Sequence, residues 1–394
     1  MQKKYLYALI VIIVIAVAGL AVYFVLPNWV TTDEEYSTAA LNARKLFDEN
    51  NFDQTIAELE RILPLAPTAE AESVAKITLA YAYRQKNNIA KSMQLFKEVV
   101  ADDTYPPLYR ARGASIMADI FMIGTRGPND LADTIFSGEP YAFFLESAEG
   151  KSKATRLLDA ARKLYEYASS FYILPSSEYR VAEWYASRAL ISKLYGAELA
   201  KPLEDYIKNA KLHLLRGDEA LARALDVDGH PNKIGYSYGV RGTVFAVLHE
   251  LEPMSGYAEK ADKSFEDSLS FLEIPGPGGE DASNITGQRL WASFAYASFL
   301  YRLHDKSREE EIKSLTTFIS DASFRSADDK SKSRFGLIRY LIRLNAVKIA
   351  SDVGDARDGI AGTYPGRYDY ENAKNLATLD PNFAGMLKDL GWEL

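Results

Sequence analysis

Two stretches of this sequence resemble each other at a spacing of 37 residues. Residues 43–63 read ARKLFDENNFDQTIAELERIL, and residues 80–100 read AYAYRQKNNIAKSMQLFKEVV. In each stretch, apolar residues three or four positions apart are interrupted by an Asn-Asn pair and then resume. Because such spacing places side chains on one face of a helix and asparagine favours turns, each stretch predicts an antiparallel helix hairpin.

Equivalent positions in the two hairpins carry residues suited to packing. A small residue in the first helix lets the second helix approach, and a large apolar residue begins the second helix. Another bulky residue follows seven positions later. We expect all of them to be buried, with the alanines facing the second helix of their own hairpin, because a larger side chain would force the helices apart. These repeat-packing residues are Ala43, Phe52 and Leu59 in the first hairpin and Ala80, Ile89 and Phe96 in the second.

This arrangement resembles the tetratricopeptide repeat (TPR), a helix hairpin with a period of 34 residues. The resemblance covers residues 36–104. The chain departs from the repeat pattern in three ways: Thr55 and Ser92 stand where the family has alanine, and Asn50 and Asn87 replace its turn glycine. The second repeat also lacks the closing proline, with Thr104 at that position. The resemblance implies an all-α, TPR-like α-solenoid of antiparallel hairpins, whose concave surface binds peptides or partner proteins.

The N-terminal stretch predicts a single transmembrane helix. Residues 5–32 contain no charged side chain, and the 21 residues 6–26 are almost all aliphatic. A helix of that length spans about 30 Å, the thickness of the hydrocarbon core of a bilayer. We therefore predict a cytoplasmic tail at residues 1–4 and an anchor at residues 5–26. The anchor is marked by Tyr5, Leu6, Ile12, Gly19 and Leu26, with Trp29 just beyond it.

The charges around this stretch predict its orientation. Lys3 and Lys4 precede it, whereas acidic residues 33–35 follow it. Since positive charge is retained in the cytoplasm, the body is expected outside the inner or plasma membrane. A cleaved signal peptide is the alternative, because residues 16–18 have the small-x-small form of a cleavage site. Both interpretations export the body.

The rest of the chain also shows helical periodicity, broken by Gly, Pro and Asn, and almost none of the alternation typical of strands. We predict TPR-like repeats over residues 33–122, an irregular insertion over residues 123–149 and an irregular array of helical hairpins over residues 150–394. Within that array, residues 226–239 are rich in Gly, Asp and Tyr and are predicted to form a loop.

Composition excludes several kinds of chemistry. The chain has no cysteine, so disulfides, Cys-ligated zinc and thiol catalysis are excluded. Its net charge of −8 disfavours binding to nucleic acid. Neither phosphate-binding glycine motifs nor metal-ligand spacings occur, and we predict no cofactor, no metal and no catalytic residue.

One motif nevertheless matches a catalytic pattern. Residues 235–239 have the form G-x-S-x-G, which in hydrolases exposes a serine nucleophile, here Ser237, between a strand and a helix. No strand is predicted before it, and nothing places an acid beside the downstream His249 or His304. A helix-entry loop is therefore the favoured interpretation, and a serine hydrolase ranks third among the functions considered.

The leading hypothesis is a membrane-anchored extracytoplasmic scaffold for protein–protein interaction. One N-terminal span followed by an exported TPR-like domain resembles bacterial envelope-assembly and translocon-accessory proteins. Its expected partners are other proteins or peptides, together with the lipid bilayer through residues 5–26. The alternative is an extracytoplasmic protein that binds glycans or small solutes, because 25 tyrosines and four tryptophans could line a sugar-binding groove.

Overall fold

The computed structural model contains only helices and turns in the part of the chain that it describes. No strand occurs there, which confirms the all-α class. The predicted anchor and the insertion after residue 124 lie outside that part. By backbone contacts the chain divides into two compact units, Met1–Tyr109 (unit 1) and Arg110–Leu394 (unit 2). The described residues are 33–49, 51–86, 88–124, 153–196, 199–226, 231–273, 282–327 and 364–389.

Unit 1 is built from helix hairpins. Helix α1 covers residues 33–48, and a 3-10 turn at Leu63–Leu65 follows α2. Helix α5 begins in this unit and continues into unit 2. The other helices are α2 (Phe52–Ile62), α3 (Ala69–Gln85), α4 (Ile89–Ala101) and α5 (Pro107–Gly124).

The turns of the two hairpins have the same backbone structure, 37 residues apart. The N–H of Asn51 donates to the carbonyl of Leu46 at 2.8 Å, and the N–H of Asn88 donates to that of Tyr83 at 2.9 Å. The two asparagines immediately before α2 and α4 also share their dihedral angles: φ is −85° and ψ 68° at Asn51, and φ is −86° and ψ 72° at Asn88. The sequence repeat is thus also a repeat of backbone conformation.

Surface ion pairs connect neighbouring helices of unit 1. Arg61 of α2 pairs with Glu35 of α1 at 2.9 Å, and Lys86, directly after α3, pairs with Asp53 of α2 at the same distance. All four side chains are about half exposed or more, so each pair adds little to stability. Their positions show that α2 contacts both α1 and α3.

Unit 2 continues as a series of hairpins. Helix α7 packs on α8, α9 on α10 and α11 on α12, while α9 also packs on α7 and α11. A single apolar core runs through these helices and reaches α13 and α14. The helices are α6 (Lys153–Phe171), α7 (Pro175–Tyr195), α8 (Leu203–Asp226), α9 (Pro231–Leu251), α10 (Tyr257–Glu273), α11 (Ala282–Arg302), α12 (Glu309–Ala327), α13 (Tyr364–Leu379) and α14 (Pro381–Asp389).

Helix α9 begins earlier than the sequence predicts. The expected loop at residues 226–239 is wrong in its second half, because the helix starts at Pro231, a residue suited to the first helical position. Gly235 and Gly242 serve close packing instead. A Cβ atom at Gly235 would lie 2.8 Å from Leu272 Cγ, and one at Gly242 would lie 2.9 Å from Phe265 Cδ1. The missing side chains let α10 approach α9.

Two Tyr–Asp–Arg contacts connect the hairpins of unit 2. Asp218 on α8 accepts hydrogen bonds from the Tyr179 hydroxyl and from Arg241 Nε, each at 2.7 Å. These three residues join α7, α8 and α9. Burial and the nearby carboxylate raise the pKa of Tyr179 far above its usual value, so the phenol stays a donor.

The second contact has the same chemistry. Asp262 on α10 accepts from the Tyr296 hydroxyl at 2.6 Å and from Arg308 Nη2 at 2.9 Å. Arg308 Nη2 also donates to the tyrosine oxygen at 2.8 Å. This contact joins α10, α11 and the turn before α12.

Candidate functional site

The repeat-packing positions lie largely in the interior of unit 1. Ala43, Ala80 and Phe96 are fully buried, and Phe52 and Leu59 are nearly so. Ile89 differs, being half-buried. As the first residue of α4 it lies at the end of the hairpin, where neighbouring atoms cover only part of the side chain.

Thr55 and Ser92, the residues that stand in place of alanine, are also fully buried. The Thr55 hydroxyl donates to the carbonyl of Asn51 at 2.9 Å, inside its own helix. Serine and threonine have only one and two more side-chain heavy atoms than alanine, so the position remains a small one.

Unit 1 presents apolar side chains on two adjoining helices, α1 and α3. The Tyr36 hydroxyl of α1 donates to the carbonyl of Ala71 at the start of α3, at 2.9 Å. Leu41 on α1 and Val74 on α3 are 73% and 42% exposed. We name the surface carrying Leu41 and Val74 the α1–α3 face. It is a candidate binding surface, because exposed apolar side chains on adjoining helices suit a peptide partner.

Unit 2 contains a cluster of polar and aromatic side chains, the Arg180 cluster, formed by Arg180, Glu183, Tyr236 and Trp291. Arg180 Nη2 and Nε donate to the Tyr236 hydroxyl at 2.6 and 3.1 Å, and Nη1 donates to Glu183. The guanidinium carbon lies 5.3 Å from the ring centroids of both Tyr236 and Trp291. The cluster therefore joins α7, α9 and α11.

The Arg180 cluster extends to α5 and α6. The buried Tyr165 hydroxyl donates to Asp119 at 2.6 Å, and the charge of Asp119 interacts with that of Arg180. Burial raises the pKa of Tyr236 to about 12, although the adjacent Arg180 charge acts in the opposite direction. The phenol groups of the cluster therefore stay protonated and neutral at physiological pH.

The geometry of the Arg180 cluster favours a structural role. The Arg180 side chain is only 12% exposed, and Glu183 and the Tyr236 hydroxyl engage its three nitrogens. A buried arginine with its donors engaged holds helices in register. Arg180 and Glu183 bind each other in this arrangement, so neither is presented to a substrate as an accessible cation or a free base.

A second buried polar pair connects α7 and α8. His213 Nδ1 lies 2.7 Å from Glu178 Oε2, and these residues are 8% and 2% exposed. The Tyr185 ring stacks on the imidazole with an interplanar angle of 12°. Burial raises the pKa of Glu178, but the hydrogen bonds and positive charges around its carboxylate, led by the hydrogen bond from His213, together outweigh burial, and the pKa lies below its usual value.

The G-x-S-x-G motif does not form a nucleophile elbow. Ser237 lies inside α9 and is 4% exposed, and its hydroxyl donates to the carbonyl of Lys233 at 2.8 Å. A helix, not a strand, carries the residues before it. The predicted helix-entry loop is wrong at Ser237, because α9 already begins at Pro231.

The remaining predictions concern the membrane anchor and metal binding. The anchor residues Tyr5, Leu6, Ile12, Gly19, Leu26 and Trp29 lie outside the described residues. Among the described helices, none combines the length and apolar character needed to cross a bilayer. Nor do the described ranges bring together three or more His, Asp or Glu side chains that could hold a metal ion.

Comparison with known proteins adds no family assignment: no protein-family model matches the chain, and no curated protein matches it. The case for a function therefore rests on the geometry of the α1–α3 face and on the chemistry of the sequence.

Proposed function

We propose that this chain is a membrane-anchored scaffold whose helical repeats bind a peptide or protein partner outside the cytoplasm. The observation that carries the proposal is the duplicated hairpin of unit 1 with the exposed Leu41 and Val74 on adjoining helices. Stacked hairpins present an extended surface without enclosing a reaction chamber, so they suit recognition better than catalysis.

A TPR-like α-solenoid is the architecture proposed for the body. It is supported by the repeated turns at Asn51 and Asn88 and by the small, buried residues at the equivalent positions Ala43 and Ala80. In unit 2, the pairing of α7 with α8, α9 with α10 and α11 with α12 follows the same hairpin plan.

The membrane location is proposed from sequence. The uncharged residues 5–32, with Lys3 and Lys4 before them and acidic residues 33–35 after them, support a single span with the body outside. Protease added to intact spheroplasts is expected to digest the body. A body that stays protected until the membrane is breached would reverse this orientation.

Glycan or solute binding is the less supported alternative. Such a groove needs several accessible aromatic rings, whereas Trp184 and Trp291 are partly buried against the core of unit 2. No enzymatic activity is proposed, and a Ser237→Ala variant should leave the reaction of the protein with serine-directed probes unchanged.

Site-specific crosslinking in native membranes tests the scaffold proposal. A photoreactive residue at Ser37, exposed on α1 one turn from Leu41, should capture a defined partner. The double variant Leu41→Ser and Val74→Ser should abolish this crosslink, whereas a Lys45→Ser control on the same helix should retain it. If the crosslink survives the double variant, the α1–α3 face is not the binding surface.

A further inference from the structure

Exposed apolar side chains of unit 2 are concentrated in one region. Ten large apolar residues are exposed in the part of the chain that the structure describes, and six of them belong to α6, the α6–α7 connection and α8. We name this surface the α8 face. It comprises Tyr167, Tyr172, Ile173, Leu212, Leu215 and Leu225, which are between 39% and 57% exposed.

Contacts between α7 and α8 place these residues on neighbouring elements. Glu178 meets His213, and the Tyr179 ring lies against Gly217 so closely that a Cβ atom there would overlap it. Further along α7, Trp184 stacks on Tyr206, which lies earlier on α8 than His213, so moving back along α7 corresponds to moving forward along α8. The connection before Pro175, which carries Tyr172 and Ile173, consequently lies toward the C-terminal half of α8, where Leu225 is exposed.

The α8 face is basic as well as apolar. Between Lys208 and Leu225, the exposed charged residues of α8 are Lys208, Arg216 and Arg223 against a single acid, Glu219. Two acids, Glu204 and Asp205, precede them in the first turn of the helix. The chain as a whole carries a net charge of −8, so this basic surface differs from the average.

Helix α10 provides the contrast. Its exposed side chains are Glu259, Lys260, Lys263, Glu266 and Ser270, and none of its large apolar residues is exposed. Both α8 and α10 are second helices of hairpins, so an apolar outer surface is not a general requirement of this fold. The exposed apolar side chains of α8 therefore indicate a function that is specific to this helix.

We propose that the α8 face lies on the surface of an anionic lipid bilayer. Exposed leucines flanked by lysine and arginine are typical of helices that lie in the membrane interface. Tyrosine rings prefer the headgroup level, and anionic lipids attract basic side chains. The inference rests on the proposed anchor at residues 5–26, which would hold the body close to the bilayer. Tethering of this kind makes even a weak contact effective.

Single-cysteine labelling can test this proposal, because the natural chain has no cysteine. An environment-sensitive fluorophore is placed at Ala222→Cys, an exposed position on the same side of α8 as Leu215. The matched control is Lys263→Cys on the polar surface of α10. The full chain is reconstituted into phosphatidylglycerol-containing vesicles that carry a quencher attached to lipid tails.

We expect the quencher on the lipid tails to quench the probe at Ala222 but not the probe at Lys263. Adding Leu212→Ser and Leu215→Ser should reduce quenching at Ala222 to the level of the control. High salt or vesicles of neutral phosphatidylcholine should also reduce it, because the attraction to the basic residues is screened or absent.

Further outcomes separate this inference from the anchor. A probe at Ile12→Cys reports whether the N-terminal stretch is inserted. Quenching at Ile12 without quenching at Ala222 would overturn the α8 proposal and leave the anchor intact, and the reverse would overturn the anchor alone. A blue shift at Ala222 without lipid quenching would mean that a protein or a second copy of the chain covers the α8 face, which overturns lipid binding.

Discussion

The two units of this protein use polar residues in different ways. In unit 1, ion pairs such as Lys86–Asp53 lie on the surface, and the interior is formed by repeated small and bulky apolar positions. In unit 2, polar groups such as Arg180 and the Glu178–His213 pair lie inside and join successive helices. The interior of unit 1 is thus mainly apolar, whereas unit 2 adds buried polar contacts to its apolar core.

The largest expected effect comes from breaking the apolar repeat of unit 1. Phe96 is fully buried, with its ring 5.7 Å from that of Tyr81. Phe96→Ala should cost about 3–5 kcal/mol because it leaves a cavity. Hydrogen exchange should accelerate mainly between residues 36 and 122.

The control for this change is Leu41→Ala, at a side chain that is 73% exposed, and it should alter stability by less than about 0.5 kcal/mol. Equal acceleration in the Phe96→Ala protein through α12 would mean that the body unfolds as one cooperative globule and not as a repeat array.

A smaller effect is expected from closing the space between α9 and α10. In Gly242→Ala, the new methyl group would meet the ring of Phe265, which is buried and stacked on Tyr296 at 5.2 Å and so cannot yield easily. Overpacking should cost about 1–3 kcal/mol, measured as faster exchange in α9 and α10.

Gly385→Ala is the matched control in a helix. No atom lies within 4 Å of a Cβ built there, so alanine should be neutral or stabilise α14 by up to about 1 kcal/mol. If both substitutions had the same effect, close packing would not be the reason for glycine in α9.

The smallest expected effect comes from removing, in each unit, one aspartate whose side chain contacts a neighbouring helix. Asp218→Ala removes the acceptor shared by Tyr179 and Arg241 and should destabilise unit 2 by about 1–2 kcal/mol, given that Asp218 is one-third exposed. Asp53→Ala removes only a surface ion pair and should cost less than about 1 kcal/mol. Both are measured by urea unfolding in detergent, and equal costs would contradict the contrast between the units.

Sequence reasoning located the hairpins of unit 1 well because their signals are local. The Asn-Asn pairs mark the turns, and Phe52 and Ile89 are the first residues of α2 and α4 as expected. It failed at α9, because Gly235 and Gly239 resemble loop residues when only their neighbours in sequence are considered. The need for glycine there comes from Leu272 and Trp291, which are distant in sequence.

The Arg180 cluster could not be predicted at all. Arg180, Tyr236 and Trp291 lie on three helices and are separated by more than 50 residues at each step. Tyr236 lies within the G-x-S-x-G stretch, but nothing in that motif points to Arg180 or Trp291, and each residue type is common on helix surfaces. Only the packing of α7, α9 and α11 brings them together, so the signal is tertiary.

The matched turns at Asn51 and Asn88 make unit 1 extendable. Residues 52–88 form a complete module: they begin at the start of α2, contain the Lys86–Asp53 pair and end at the asparagine that precedes α4. A second copy of this module inserted before Ile89 would meet the same backbone geometry at each junction. The length of this array could therefore grow or shrink by whole modules without a change in helix register.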